Sequence, residues 1–193
     1  MTEDASRYDP EGAWLVAYAN GDPQAAAVLA AALTPRVFAQ AMRMLADRAE
    51  AEDVVQEALI RLWRVAPDWR QGEAKVSTWL YRVVANLAVD RLRKRRREAP
   101  LEAAGEPASE DETPADRLQS QARTRALTDA LADLPGRQAE AVALRHLEGL
   151  SNPEIAAAMD IGVEAVESLT ARGKRALAQA LAPRRAELGW TDD

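Results

Sequence analysis

Asn86, Asp90 and Arg93 stand four and three residues apart within the run Val76 to Arg97. On a helix such spacings share one face. That face offers an amide, a carboxylate and a guanidinium, and it leads into the cationic run Arg91-Leu92-Arg93-Lys94-Arg95-Arg96-Arg97. Amides and guanidiniums can hydrogen-bond base edges, and clustered cations neutralise phosphates. The same segment begins apolar and aromatic, with Trp79, Leu80 and Tyr81. It reads as core at one end and nucleic-acid contact at the other. The alternative is an amphipathic helix whose solvated basic end complements the helix dipole.

Two further constellations accompany it. In Ala51 to Arg64, Val55, Leu59 and Leu62 form an apolar stripe with Trp63 alongside. Asp53 and Glu57 fall on the opposite side and Gln56 on the flank, which by pattern alone is a helix with a solvated polar face. In Leu150 to Leu169, Ser151 and Glu154 have capping-box spacing and Pro153 suits a first helical turn. Asp160 and Gly162 can supply a tight turn before a second helix, since Asp tolerates left-handed backbone. Ile155, Met159, Ile161 and Val166 are placed to pack at the crossing. This is helix-turn-helix patterning, and Arg172, Lys174 and Arg175 on its second helix suit phosphates. A packing motif without DNA contact has the same pattern.

These faces need rigid elements to hold them. Alternating strand-type runs are absent, and Ala, Leu, Glu and Arg dominate. Helices are expected over 11–19, 23–47, 50–65, 75–97, 119–132, 136–148, 152–159 and 163–181, with Pro35 interrupting or kinking the second. Between the halves, residues 98–116 carry seven carboxylates, three prolines and no Lys or Arg. Such a stretch has little to bury and reads as a flexible acidic linker. The expected fold is all-α: a helical domain over 1–97, the linker over 98–118, and a helix-turn-helix domain over 119–193.

Composition narrows the chemistry. The net charge of −6 arises largely in the middle segment, so the chain can be acidic overall and still present cationic surfaces at 91–97 and 172–175. There is no cysteine and a single histidine, His146. Disulfides and thiolate metal sites are excluded, and no nucleophile–base pair or glycine-rich phosphate loop points to an enzyme. No catalytic, cofactor or metal site is expected. The acidic N-terminus lacks the apolar run of a secretory signal, and no window suggests a membrane span. A cytoplasmic location is expected.

Taken in order, these motifs resemble the bacterial sigma factors of the extracytoplasmic-function (ECF) group over nearly all of residues 10–181. Asp53-Val54-Val55-Gln56-Glu57 looks like the family's helix that grips core RNA polymerase. Thr78-Trp79-Leu80, Asn86, Asp90 and Arg93 match its promoter −10 reading helix. Leu134-Pro135, Leu150-Ser151 and the helix-turn-helix look like its −35 reading domain. The resemblance implies a dissociable promoter-specificity subunit with core polymerase, promoter DNA and an anti-sigma factor as partners.

It also implies site residues. Asp53, Gln56 and Glu57 would bind polymerase. A base flipped from the melted −10 element would enter a pocket between the long helix and the loop at 66–75; Trp69 and Trp79 could stack on it, although Trp79 could equally be core. Lys75, Asn86, Asp90, Arg91, Arg93, Lys94, Arg95 and Arg96 would complete the −10 contacts. Glu164, Ala165, Ser168, Arg172, Lys174 and Arg175 would face the −35 element. The sequence departs from the family at Glu167 and Leu169, usually basic; at Asp160, usually Gly; and at Val76, often aromatic. Leu169 can instead join Val166, Gly173 and Leu177 in the core. A helix-turn-helix regulator independent of polymerase and a sigma mimic that titrates an anti-sigma protein are the other readings.

Overall fold

The computed structural model describes residues 9–70, 72, 74–98, 114–185 and 188–189. Those residues form eight α-helices and no strand: α1 (Pro10–Ala19), α2 (Pro23–Leu45), α3 (Arg48–Val65), α4 (Val76–Glu98), α5 (Pro114–Asp133), α6 (Gly136–His146), α7 (Asn152–Met159) and α8 (Val163–Leu181). Short 3-10 turns at Ala66–Asp68 and Ala182–Arg184 follow α3 and α8.

The helix boundaries have local chemical causes. Asp22 caps α2 by accepting from the backbone N–H of Gln24, and Asp47 caps α3 by accepting from that of Glu50. Asp9, ahead of α1, accepts from the Val76 N–H at 3.3 Å and so tethers the start of α4 to the N-terminal segment. α2 ends where Ala46 turns left-handed, at φ 52°, a conformation that disfavours a side chain.

Two expectations need correction here. Pro35 does not interrupt α2, which runs from Pro23 to Leu45. Pro35 and Ala31, whose carbonyl loses its helical donor, are both exposed, so water can serve that carbonyl. α2 is also long and apolar enough, by length and composition alone, to cross a membrane, contrary to the expectation from the sequence. It is instead the central helix of a core, with Leu29, Leu33, Val37, Ala41, Met44 and Leu45 fully buried.

Helices α1–α4 close around Leu15, Leu62, Leu80, Val84 and Ala88, together with the buried face of α2. Burial of each large aliphatic side chain contributes about 1.5–3 kcal/mol. Helices α5–α8 form a second assembly around Leu144, Ile155, Met159 and Val166. Its last helix, α8, crosses α6 closely: a Cβ on Gly173 would lie 2.6 Å from Val142 Cγ2 and 3.3 Å from the Gln138 carbonyl. Glycine is what lets α8 approach α6 at that point.

α5 begins at Pro114, inside the span expected to be linker, and Glu98 closes α4. The remaining expected linker residues, 99–113, lie outside the described residues. The two assemblies are packed together, with α4 lying against α5, α6 and α7. Leu92, Leu131 and Leu134 are buried within one apolar cluster that runs through both.

Candidate polymerase and promoter interfaces

α3 buries Ala51, Val54, Val55, Ala58 and Leu62 against its neighbours. Leu59 and Trp63 are only partly buried, so the core stripe is centred nearer Val55 and Ala58 than the sequence pattern placed it. The opposite face presents Asp53 and Gln56 to solvent, with Glu57 half-buried beside them. Glu57 accepts from Arg61 one turn on at 2.9 Å, and Asp53 lies 3.5 Å from Arg91 of α4. Ile60 is exposed next to this acidic patch. The arrangement is an acidic and amide surface with an apolar edge on a rigid, well-anchored helix.

α4 turns a different face outward from α1–α3. Asn86 and Arg93 are half-buried and Asp90 is exposed, with Arg93 3.9 Å from Asp90. The cationic run divides by helical position. Arg91 and Arg95 lean toward α3, where Arg95 pairs with Glu50 at 3.6 Å and donates to the Leu45 carbonyl. Burial, opposed by Arg95, pushes the Glu50 carboxyl above its usual range. Arg93 and Arg96 lean the other way, toward α5, and Lys94 points to solvent.

Trp69 and Trp79 meet edge to face, 6.1 Å apart. Both line a cleft of about 810 Å³ shared with Arg70, Arg82 and residues 156–158 and 160–161 beyond. Trp79 packs against the core and also borders open space, so the two readings of it are both realised in part. The indole N–H of Trp69 is buried without a hydrogen-bond partner among the described residues. Lys75 reaches Glu154 at 3.8 Å.

In the helix-turn-helix, the capping box forms as expected. The Ser151 N–H donates to Glu154 Oε2 at 2.9 Å, and the Glu154 N–H donates to Ser151 Oγ at 3.4 Å. The Ser151 hydroxyl also donates to Glu154 Oε2, at 2.7 Å. The two hydrogen bonds from Ser151 to the carboxylate, with Lys75 nearby, hold it below its usual range. Asp160 takes the left-handed turn at φ 52°, while Gly162 is an extended N-cap with negative φ. Only one of the two expected turn residues therefore uses that conformation. Glu164, Ala165, Ser168, Arg172, Lys174 and Arg175 are all exposed on α8, whereas Val166 and Gly173 are buried with Leu169 and Leu177 alongside. Glu167 accepts from Asn152 at 3.3 Å, which ties the second helix to the start of the first.

Arg82 and Glu140 were not singled out by sequence. Arg82 Nε donates to Glu140 Oε1 at 2.6 Å, its Nη1 donates to the Ala158 carbonyl at 2.7 Å, and Asn86 Nδ2 donates to the same Glu140 oxygen at 3.4 Å. The signal available was position: Arg82 stands four residues before Asn86 on the same face, and Glu140 interrupts an apolar run at 139–144. A buried carboxylate requires a partner, so this pair fixes how α6 sits on α4.

Comparison with known proteins follows the same division. Residues 29–98 match the Sigma-70 region 2 family, and residues 124–177 match Sigma-70, region 4. The chain is 31% identical over 171 residues to the ECF RNA polymerase sigma factor SigW of Bacillus subtilis, covering 83% of this chain and 91% of that one. It is 32% identical over 173 residues to the RNA polymerase sigma-H factor of Pseudomonas aeruginosa, covering 84% and 89%. Among solved structures, that of CnrH in complex with the cytosolic domain of CnrY matches 91% of this chain and 99% of that one, with 25% identity and a TM-score of 0.61. The chain therefore belongs to the ECF RNA polymerase sigma factors, which direct RNA polymerase to promoter DNA.

Proposed function

We propose that the sigma-factor activity is divided among three surfaces of this chain. Asp53, Gln56 and Glu57 on α3 bind core polymerase. Asn86, Asp90 and Arg93 on α4, with Trp69, Lys75 and Trp79 around the cleft, select and hold the −10 element. Arg91, Lys94, Arg95 and Arg96 supply phosphate contacts along the same strand. Glu164, Ala165, Ser168, Arg172, Lys174 and Arg175 on α8 meet the −35 element. The boundaries that fit this division are residues 1–97 and 119–193, joined through 98–118.

The observation that supports it best is the separation of faces on α3. The apolar side is consumed by the core, and the acidic–amide side stays on the surface of a helix capped at its start. A surface so placed contributes little to folding and is available for a protein partner. On α4 the amide and guanidinium groups are of the kind that pairs with base edges, each good pair being worth about 1–3 kcal/mol of discrimination.

The protein acts in the cytoplasm, where polymerase and promoters are, and catalyses no reaction of its own. An anti-sigma factor holds it inactive by covering the polymerase and DNA faces; its relative CnrH is solved with the cytosolic domain of CnrY bound. Run-off transcription with purified core polymerase and a library of upstream fragments tests the reading. Promoter-dependent transcripts are expected from the parent chain, with loss when Asp53 and Glu57 are replaced by Ala. A chain that bound anti-sigma protein yet supported no transcript would instead be a mimic.

A further inference from the structure

We propose that the C-terminal domain carries a surface imitating the acceptors of a DNA strand, and that in the free chain this surface occupies the reading face of α4. The proposal rests on the assignment of that face to the −10 element. Arg82, Asn86, Arg93 and Arg96 all end on oxygen atoms of α5–α7 or the turn after α5. Arg82 and Asn86 share the Glu140 carboxylate. Arg93 donates to the Ala132 and Leu134 carbonyls at the end of α5, and Arg96 pairs with Asp133. Arg82 also reaches the Ala158 carbonyl at the end of α7. Carboxylates and the negative ends of helices present arginine and asparagine with the kind of acceptor that phosphates and base edges offer.

Glu140 argues that the contact is built rather than incidental. Its side chain is 5% exposed, on a helix whose neighbours Ala139, Ala141, Val142 and Ala143 are buried. The core of its own domain is apolar and does not use it. Its hydrogen bonds among the described residues go to α4 alone. A carboxylate buried in that way is costly unless it is paired, and here Arg82 and Asn86 of α4 pair it. At the rim, Arg43 pairs with Glu148 at 2.6 Å and Lys75 approaches Glu154, so further charges of the N-terminal domain meet acids of the C-terminal one. The occupant of the α4 face in the free chain is thus the chain's own second domain. Promoter DNA must displace it, while the α3 face remains open to polymerase throughout.

The chain has no cysteine, so Ala39→Cys and Ala178→Cys, both at exposed positions, provide a unique dye pair across the two domains. Energy transfer and binding of a single-stranded −10 oligonucleotide are measured on the free chain, with and without Glu140→Gln plus Asp133→Asn. Glutamine keeps the shape and one acceptor, and helicity with thermal unfolding reports whether the fold survives. The charge-neutral variant is expected to show lower transfer and at least fivefold tighter oligonucleotide binding at low salt. Asp133→Asn alone, at an exposed position, is expected to give about a twofold gain and serves if the double variant unfolds. Unchanged transfer would overturn the docked state. Separation of the domains with no gain in binding would overturn the masking role. Neither result touches the −10 assignment, which is judged separately by promoter preference of Asn86→Ala in run-off transcription with the complete polymerase.

Discussion

α3 and α4 are neighbours in one helical bundle, but their polar faces have different fates. Asp53 on α3 has a side chain 64% exposed, and its ion-pair partner among the described residues is Arg91 of the same bundle. Asn86 and Arg93 on α4 face the second domain, where Glu140 and the end of α5 supply their acceptors. The same physics governs both. A charge left in solvent is cheap to keep and free to meet a partner, whereas a covered charge must be satisfied in place. The α3 face proposed for polymerase is therefore preformed in the free chain, and the α4 face proposed for the −10 element is one that another set of acceptors already fills.

The largest effect is expected where the face is open. Asp53→Ala with Glu57→Ala should weaken binding to core polymerase about 10–100-fold, since charged interface contacts of this kind couple by 1.5 kcal/mol or more. Helicity should hold, and thermal stability should change by less than about 0.5 kcal/mol because both sites are on the surface. The loss should be the same in a Glu140→Gln background, as independent faces behave additively. A titration showing unchanged core affinity would remove α3 from the comparison.

On the covered face, Asn86→Ala should relax −10 preference at one or two positions by about 1–3 kcal/mol. A randomised-promoter selection reads this out directly. If the selected −10 sequence were identical to the parent's, Asn86 would be only a docking residue for Glu140. Arg96→Ala should behave differently, weakening DNA binding across all sequences and lowering the salt slope, as a phosphate contact does.

How far the sequence reveals these faces follows from where each one's causes lie. The α3 face is legible because both its apolar and acidic residues sit within one helix, and periodicity alone separates them. The helix-turn-helix is legible for the same reason: Ser151, Glu154 and Asp160 act on their own or adjacent turns. The covering of α4 is not legible. Its contacts join residues such as Arg82 and Glu140 that are 58 positions apart, and an acidic, proline-rich stretch between them suggests separate domains. The start of α5 at Pro114 was hidden likewise, because Pro114 and Asp116 read as linker composition although proline suits a first helical turn. Gly173 was visible only as a possible core member; its close approach to Val142 depends on how α8 crosses α6.

That crossing gives the next prediction. Gly173→Ala places a methyl group 2.6 Å from Val142 Cγ2. Overpacking costs about 1–3 kcal/mol, and the helix propensity of Ala returns up to about 1 kcal/mol. A net loss of about 1–2 kcal/mol is expected in thermal or denaturant unfolding. Because α6 carries Glu140, the same change should loosen the covering of α4 while leaving core binding through α3 intact. A stabilised variant would show that Val142 yields without cost.

The smallest effects separate two carboxylates that respond to acid in opposite directions. Glu154 in the C-terminal domain has its folded value lowered, chiefly by the Ser151 hydrogen bonds. Its contribution is present above its ordinary value of 4.5 and is lost as pH falls through the lowered folded value. Glu50 at the junction of α3 and α4 has its folded value raised, chiefly by burial. The folded state holds that proton more tightly than the unfolded chain does, so stability falls as pH rises from 4.5 through the raised folded value. Glu154→Ala removes half of a capping box and should cost about 1 kcal/mol near neutrality. The cost should shrink below the ordinary carboxylate range. Glu50→Gln relieves the burial of a charge but forfeits the Arg95 pairing, so its effect near neutrality should be smaller. Its difference from the parent should shift toward destabilising as pH falls through the raised folded value and the parent Glu50 gains its proton. Denaturant midpoints at pH 4 and pH 7 for both variants decide the matter: two variants moving in the same direction with pH would mean that burial does not govern Glu50.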